Sequence, residues 1–211
     1  RELERQNERL DAFASLVSHD LRSPLRVAAG NLDLARESCE SPRLGDAANA
    51  LDRMEVLIDD LLAVAREGKP VEDRDVIQLG AVAEAAWKTV ETGDATLGVE
   101  ADARVNADES RLRQLFENIF RNAIEHGRTG EAAVGESSLS ITVGPLADRT
   151  GFFIEDDGVG IPTAERDRVF EGGYSTNSDG TGFGLTIVRE VAEAHGWSVD
   201  AVASEAGGAR F

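Results

Sequence analysis

Four places along the chain hold residue types whose spacing suits chemistry. The first is Ser18-His19-Asp20-Leu21-Arg22-Ser23-Pro24-Leu25. At 100° per residue His19 points about 160–200° away from an apolar stripe through Val17 and Leu21, so its imidazole faces water or another domain. Asp20 beside it can orient the ring through one nitrogen and raise the basicity of the other. Pro24 breaks a helical rule at a cost of about 3 kcal/mol, and such breaks cluster at working sites. The second place is a predicted helix over 108–126, where Asn118 and Asn122 stand four apart on one face. Two stacked carboxamides offer oxygen to a hard cation such as Mg²⁺, which keeps several waters and bridges to phosphates.

The third is Ile154-Glu155-Asp156-Asp157-Gly158-Val159-Gly160-Ile161-Pro162, a strand that delivers a carboxylate and then turns on glycines. A buried carboxylate there can accept from an exocyclic amine, and Gly158 and Gly160 let backbone approach a planar base. The fourth is Gly180-Thr181-Gly182-Phe183-Gly184-Leu185, running into a helix. Its backbone amides and the helix N-terminus form an anion site suited to phosphate oxygens. No Gly-Lys-Ser/Thr follows, and no strand precedes, so it is neither a Walker loop nor a dinucleotide fingerprint. The composition of residues 171–179 is that of a mobile lid.

The elements that carry these places fall into two groups. Apolar residues at Leu10, Phe13, Val17, Leu21, Leu25, Ala28, Leu32 and Ala35 recur three or four apart and predict one long helix. Its charged opening, with Leu3 and Leu10 seven apart, resembles a coiled coil entering from upstream. Ser38–Leu44 predict a turn, and Ala47, Ala50, Met54, Leu57, Leu61 and Ala65 a second helix that Gly68-Lys69-Pro70 ends. Two such helices form an antiparallel hairpin. Two copies packed as a four-helix bundle would cover stripes that one copy leaves wet, so residues 1–67 predict a homodimer.

From about Val71 strands and helices alternate. Strands are predicted at Val76–Leu79, Ala95–Glu100, Arg104–Ala107, Leu139–Val143, Phe152–Glu155, Ser198–Ala203 and Ala209–Phe211. Helices are predicted at Gly80–Val90, Asp108–His126 and Gly184–His195. Leu112, Leu115, Phe116, Ile119, Phe120 and Ile124 should face inward. This order implies a multidomain chain, an all-α hairpin followed over 71–211 by an α+β two-layer sandwich with one sheet covered by helices.

Composition narrows the possibilities. The chain has 211 residues, 41% hydrophobic and 29% charged, enough for a packed core. Forty acids against 22 bases leave a formal charge of −18, the wrong sign for neutralising phosphates, so no nucleic-acid partner is expected. Both halves are acidic, with 9 bases against 14 acids over 1–68 and 13 against 26 over 69–211. Only Lys69 and Lys88 are lysines, and 20 bases are arginine. An acid-rich, lysine-poor surface suits a cytoplasm near molar salt, where the Debye length is about 3 Å, and predicts a halophilic source. No apolar run reaches the roughly 18–20 residues that span a bilayer, and Cys39 alone allows no internal disulfide. The chain reads as a cytoplasmic catalytic fragment without membrane contact of its own, its upstream sensor or coiled coil lying outside it. Attachment of the parent protein to a membrane is left open.

Taken together, in this order, the motifs resemble a sensor histidine kinase of the two-component type over essentially the whole chain. SHDLRSPL resembles the H-box, LFENIFRNAIEHG the N-box, EDDGVGIP the first glycine box, Val169-Phe170-Glu171 the F-box and GTGFGLTIV the second glycine box. The resemblance implies a dimerisation and phosphotransfer domain at 1–67 and a catalytic ATP-binding domain at 71–211. It implies that His19 is phosphorylated by ATP through its distal ring nitrogen, with Asp20 as general base. Asn122 would hold Mg²⁺ and Asn118 would lie beside it. Asp156 would read the adenine amine. Gly158, Gly160, Phe170, Gly180, Thr181, Gly182, Gly184 and Leu185 would complete the ATP site. The phosphoryl group would pass to an aspartate of a response-regulator receiver domain. Ser23 stands where a Thr or Asn supports dephosphorylation of that partner. Glu125 stands where the family often has a basic phosphate contact, leaving His126 or Arg128 as substitutes. Two other readings compete. One is a dimeric signalling scaffold that binds nucleotide or none. The other is a superfamily ATPase that releases phosphate without a phosphoenzyme.

Overall fold

The computed structural model describes residues 21, 24–25, 27–36, 39, 41, 43–45, 47–48, 50–51, 54, 58, 71, 74–100, 103–127, 138–148, 150–174 and 182–211. His19, Asp20, Ser23, Gly180 and Thr181 lie outside them, as do residues 175–179 of the expected lid. The chain divides into two compact units, Arg1–Gly68 and Lys69–Phe211. No helix among the described residues is long and apolar enough to cross a membrane.

In the first unit residues 27–36 are helical, and Cys39 N–H donates to Ala35 O at 2.9 Å, so helical bonding runs past the expected end at Ser38. Residues 43–45 are helical again, so Leu44 and Gly45 belong to the second helix and not to the turn. A Ser-Pro pair such as Ser41-Pro42 is what helix starts favour, serine as cap and proline in the first turn. In a single copy the second helix buries only one side. Leu44, Ala48 and Leu51 are half-buried and Ile58 is buried, while Ala47, Ala50 and Met54, expected in the stripe, are exposed. On the first helix Leu25, Leu32 and Ala35 are half-buried, whereas Leu21, Val27 and Leu34 are 46%, 62% and 63% exposed. Each helix therefore has apolar residues on more than one side, and spacing alone does not say which side the hairpin covers.

The second unit opens with β1 (Asp75–Gln78), then α1 (Leu79–Trp87), β2 (Thr96–Val99) and β3 (Arg104–Ala107). There follow α2 (Glu109–His126), β4 (Ser140–Pro145), β5 (Phe152–Asp156), α3 (Gly184–Ala194), β6 (Val202–Ala203) and β7 (Ala209–Arg210). The single sheet expected from the sequence is two. β1 and β3 pair antiparallel by themselves, and the main sheet has the order β2-β4-β5-β7-β6. β2 and β4 run parallel, joined by the crossover through β3 and α2, and the other neighbours are antiparallel.

Period-3.6 burial makes the helices cover the sheet. α2 turns Leu112, Leu115, Phe116, Ile119, Phe120 and Ala123 inward, and Ile124 is only half-buried. α2 packs against both α1 and α3. Phe116 stacks on Phe120 at 5.6 Å and meets Phe152 of β5 at 6.0 Å, so α2 is joined to the sheet through aromatic rings. Burying each such ring contributes about 1.5–3 kcal/mol. Asp108 caps α2, its Oδ1 accepting from Arg111 N–H at 3.0 Å.

The strand expected over Ser198–Ala203 is shorter, only Val202–Ala203. Trp197 N–H turns back to Ala192 O at 2.9 Å, and its ring stacks on His195 and meets Phe152 edge-on. Side-chain packing, not a ladder, holds this stretch.

Candidate functional site

Three acids follow one another at the end of β5, and each does something different. Strand alternation turns Glu155 to the opposite sheet face from Asp156, and its Oε2 accepts from Ser204 Oγ at 3.2 Å and lies 3.5 Å from Nη1 of its cross-strand neighbour Arg210. Asp157 closes the strand end, its Oδ1 accepting from Ser140 N–H at 2.8 Å. Asp156 points inward and is only 6% exposed. Its Oδ1 accepts from Gly158 N–H at 2.9 Å and Ala209 N–H at 3.2 Å. Among the described residues Oδ2 takes no hydrogen bond. Burial pushes the Asp156 carboxyl above its ordinary range, and the charges of Asp157 and Glu155 push the same way, against the two N–H donors.

The loop after Asp156 is squeezed between two backbones. A Cβ on Gly158 would lie 2.6 Å from Gly127 Cα and 2.7 Å from Gly127 O, at the C-terminal end of α2. Val159 N–H donates to that same Gly127 carbonyl at 3.2 Å. Gly160 has φ +72° and would meet Gly208 O at 3.0 Å if it carried a Cβ.

On α2, Asn118 is 6% exposed and donates from Nδ2 to Gln114 O at 2.9 Å. Its Oδ1 lies 3.3 Å from where a Cβ of Gly184 would stand, so the amide fills the gap between α2 and the first residue of α3. Asn122, one turn on, is half-buried and makes no hydrogen bond among the described residues. Its carboxamide oxygen fits a hard cation that brings its own waters and phosphate oxygens. Among the described residues no three His, Cys, Asp or Glu side chains gather for a metal ion. Glu125 is exposed and His126 half-buried, while Arg128 lies outside the described residues.

The N-terminus of α3 has no side-chain cap, so its first N–H groups are not closed off by its own N-cap residue, Phe183. Gly182, with φ +72°, crosses Gly173 so closely that a Cβ would lie 2.6 Å from the Gly173 carbonyl carbon. Gly173 N–H donates to Gly182 O at 3.0 Å across that crossing. Phe170 and Leu185 are buried. Phe170 meets Phe211 edge-on, carries the Arg189 guanidinium 4.7 Å above its ring, and its carbonyl accepts from Thr186 Oγ1. Sequence reasoning missed Gly127, Gly208 and Ala209 at this site. Gly207 and Gly208 lie just before the strand expected over Ala209–Phe211, and nothing in their spacing sets them apart.

A mixed sheet under helices, a buried carboxylate on a strand end and a helix N-terminus without a side-chain cap next to Asn118 suit a nucleotide. Residues 107–211 match the family described as histidine kinase-, DNA gyrase B- and HSP90-like ATPase, and residues 9–70 match the His Kinase A (phospho-acceptor) domain. The chain belongs to the histidine kinases. It is 29% identical to the methanogenesis regulatory histidine kinase FilI of Methanothrix harundinacea, over 92% of this chain and 23% of that one. It is 30% identical to the sensor histidine kinase CpxA of Escherichia coli, over 99% of this chain and 47% of that one. It thus spans less than half the length of either relative. The crystal structure of full-length ShkA in complex with AMPPNP is similar with a TM-score of 0.63 and 25% identity, covering 95% of this chain and 44% of that one.

Proposed function

We propose that this chain is the catalytic part of a sensor kinase that phosphorylates His19 with ATP and hands the phosphoryl group to a receiver-domain aspartate. What supports it is a pair of features in one chain, the phospho-acceptor match that contains His19 and the buried carboxylate of Asp156 in the ATPase match. AMPPNP in the similar ShkA structure points the same way.

In this reading the distal ring nitrogen of His19 attacks the γ-phosphorus. An N–P bond forms, the bond to the β-phosphate oxygen breaks, ADP leaves, and Asp20 takes the proton from the other ring nitrogen. Asp156 Oδ2 accepts from the adenine amine, and Gly158 and Gly160 line the base. Asn122 would hold Mg²⁺, which when bound would neutralise charge on the phosphate oxygens. The uncapped α3 N-terminus with Gly180, Thr181, Gly182 and Gly184 surrounds the phosphates. Ser23 positions a water for dephosphorylating the receiver.

Residues 1–67 dimerise in the same proposal. Leu21, Val27, Leu34 and Met54 are all about half or more exposed, an apolar surface that a second copy would cover. The kinase works in the cytoplasm, joined to an upstream sensor. The excess of acids and scarcity of lysine fit high salt, and melting temperature should climb steadily from low to molar KCl.

The test is incubation with γ-³²P-ATP and Mg²⁺. Label that survives alkali, is lost in acid and is absent in His19→Gln is expected. Label that persists in that variant removes His19 from the reaction.

A further inference from the structure

The β6–β7 hairpin closes on itself before it reaches Asp156. Ser204 N–H donates to Gly208 O at 2.9 Å and Gly207 N–H to Ser204 O at 3.1 Å. Ser204 Oγ accepts from Ala206 N–H and donates to Glu155 Oε2, tying the turn to β5. At Gly208 the turn lies against Asp156 with no space between. A Cβ there would overlap both Asp156 O and Asp156 Oδ1, and would lie 2.6 Å from the Asp156 carbonyl carbon. These neighbours are backbone and a buried carboxylate, not the end of a flexible side chain.

The next residue supplies a bond. Ala209 sits in β7, which lies between β5 and β6, and its N–H faces Asp156 Oδ1 at 3.2 Å. Both backbone donors to the carboxylate, Gly158 and Ala209, fall on Oδ1. The carboxylate is thus gripped through one oxygen, and the other is kept for a donor from outside.

We infer that Gly208 and Ala209 are positioning residues that aim Asp156 Oδ2 at the ligand and so set the preference for a nucleotide base bearing an exocyclic amine. The inference rests on the reading of Asp156 as the base-contacting residue. Neither residue touches the nucleotide. Gly208 provides the space in which the carboxylate lies flat, and Ala209 N–H fixes its rotation. A ligand whose base offers a carbonyl in place of the amine meets an acceptor facing an acceptor.

The test measures binding of ATP and of inosine triphosphate, which carries a 6-oxo group, by displacement of a fluorescent nucleotide from the whole 211-residue chain. Gly208→Ala is expected to weaken ATP by about tenfold and change inosine triphosphate by less than about twofold, collapsing the preference. A second variant replaces Ala209 by lactic acid, an ester that removes the N–H and adds no bulk. It should collapse the preference in the same way, and it decides the matter if Gly208→Ala does not fold. Equal weakening of both nucleotides, or an unchanged ratio in a folded variant, overturns the inference. Asp156→Asn separates the two levels. If it leaves the ratio intact, the reading of Asp156 fails and this inference with it. A ratio that collapses there but survives both turn variants overturns only the role of Gly208 and Ala209.

Discussion

The backbone N–H of Asp108, the cap of α2, donates to Nε2 of His195 at 3.0 Å, while Nδ1 of the same ring donates to Val191 O at 2.7 Å. Both ring nitrogens are thereby committed, and the imidazole is fixed as the neutral tautomer protonated on Nδ1. The ring thus joins the start of the helix carrying Asn118 and Asn122 to the end of the helix whose N-terminus opens on the glycine loop. Burial lowers the His195 pKa, and Arg74 and Arg111 lower it further, against Val191 O and Asp108. A lowered folded value means that the unfolded chain takes up the proton first, so stability is full above about pH 6.5 and declines as pH falls toward the folded value. Urea melts from pH 8 to 5 should show that decline. His195→Phe should flatten it and cost about 1–3 kcal/mol, because the Asp108 N–H loses its acceptor.

Asp156 has the opposite sign. Burial raises its folded pKa above 3.8, so the native state keeps a proton that the unfolded chain has already released. Stability falls as pH rises through that window and stays reduced above it. Asp156→Asn keeps an oxygen for the Gly158 and Ala209 donors and removes the charge. The ligand-free variant should therefore melt at the same temperature as the parent or higher at pH 7, with ATP affinity down by about tenfold or more. A lower melting temperature would mean that the charge stabilises the fold, contrary to its burial.

Much of this site was legible because its residues break local rules. Asn118 and Asn122 are poor helix formers on a strongly periodic helix, and Asp156 ends an apolar strand. The α2 boundaries came from the same periodicity, which starts the helix at Asp108, the residue found to cap it. The splitting of β1 and β3 from the main sheet was not legible, since period-2 alternation says that a strand exists but not which strand it pairs with. Nor was the part played by Gly208. Its constraint comes from Asp156, distant in sequence, and a glycine pair in a hairpin reads as turn chemistry until the contact is seen. Ala47, Ala50 and Met54 are exposed in a single copy, as residues of a stripe that only a second copy would cover.

The two amides of α2 should separate under mutation. Asn118 fills a buried gap and bonds Gln114 O, so Asn118→Ala should cost about 1–2 kcal/mol and disturb nucleotide binding with or without Mg²⁺. Asn122 contributes little to the fold, so Asn122→Ala should stay within about 0.5 kcal/mol of the parent. Its effect should appear only as lost Mg²⁺ dependence of ATP binding. Melting curves beside titrations with Mg²⁺ or EDTA check both. Equal stability loss in the two variants would contradict the division.

Gly158 and Gly98 offer a last contrast, between a glycine needed for close approach and one that is not. A Cβ at Gly158 would meet the Gly127 backbone at 2.6–2.7 Å and Asp156 Oδ1 at 3.0 Å, so the loop after β5 and the end of α2 would have to part. Overpacking of this kind costs about 1–3 kcal/mol, and it displaces the N–H that Asp156 accepts. Gly98 lies on the edge strand β2, where an added Cβ would meet nothing nearer than Thr142 Oγ1 at 3.6 Å. Gly98→Ala relieves the backbone entropy of a strand glycine and should be neutral or stabilising by about 0.5–1 kcal/mol, with ATP binding intact. Gly158→Ala should lose stability and ATP affinity together. Were both substitutions equally harmless, the tight seam between the loop after β5 and α2 would be absent in solution.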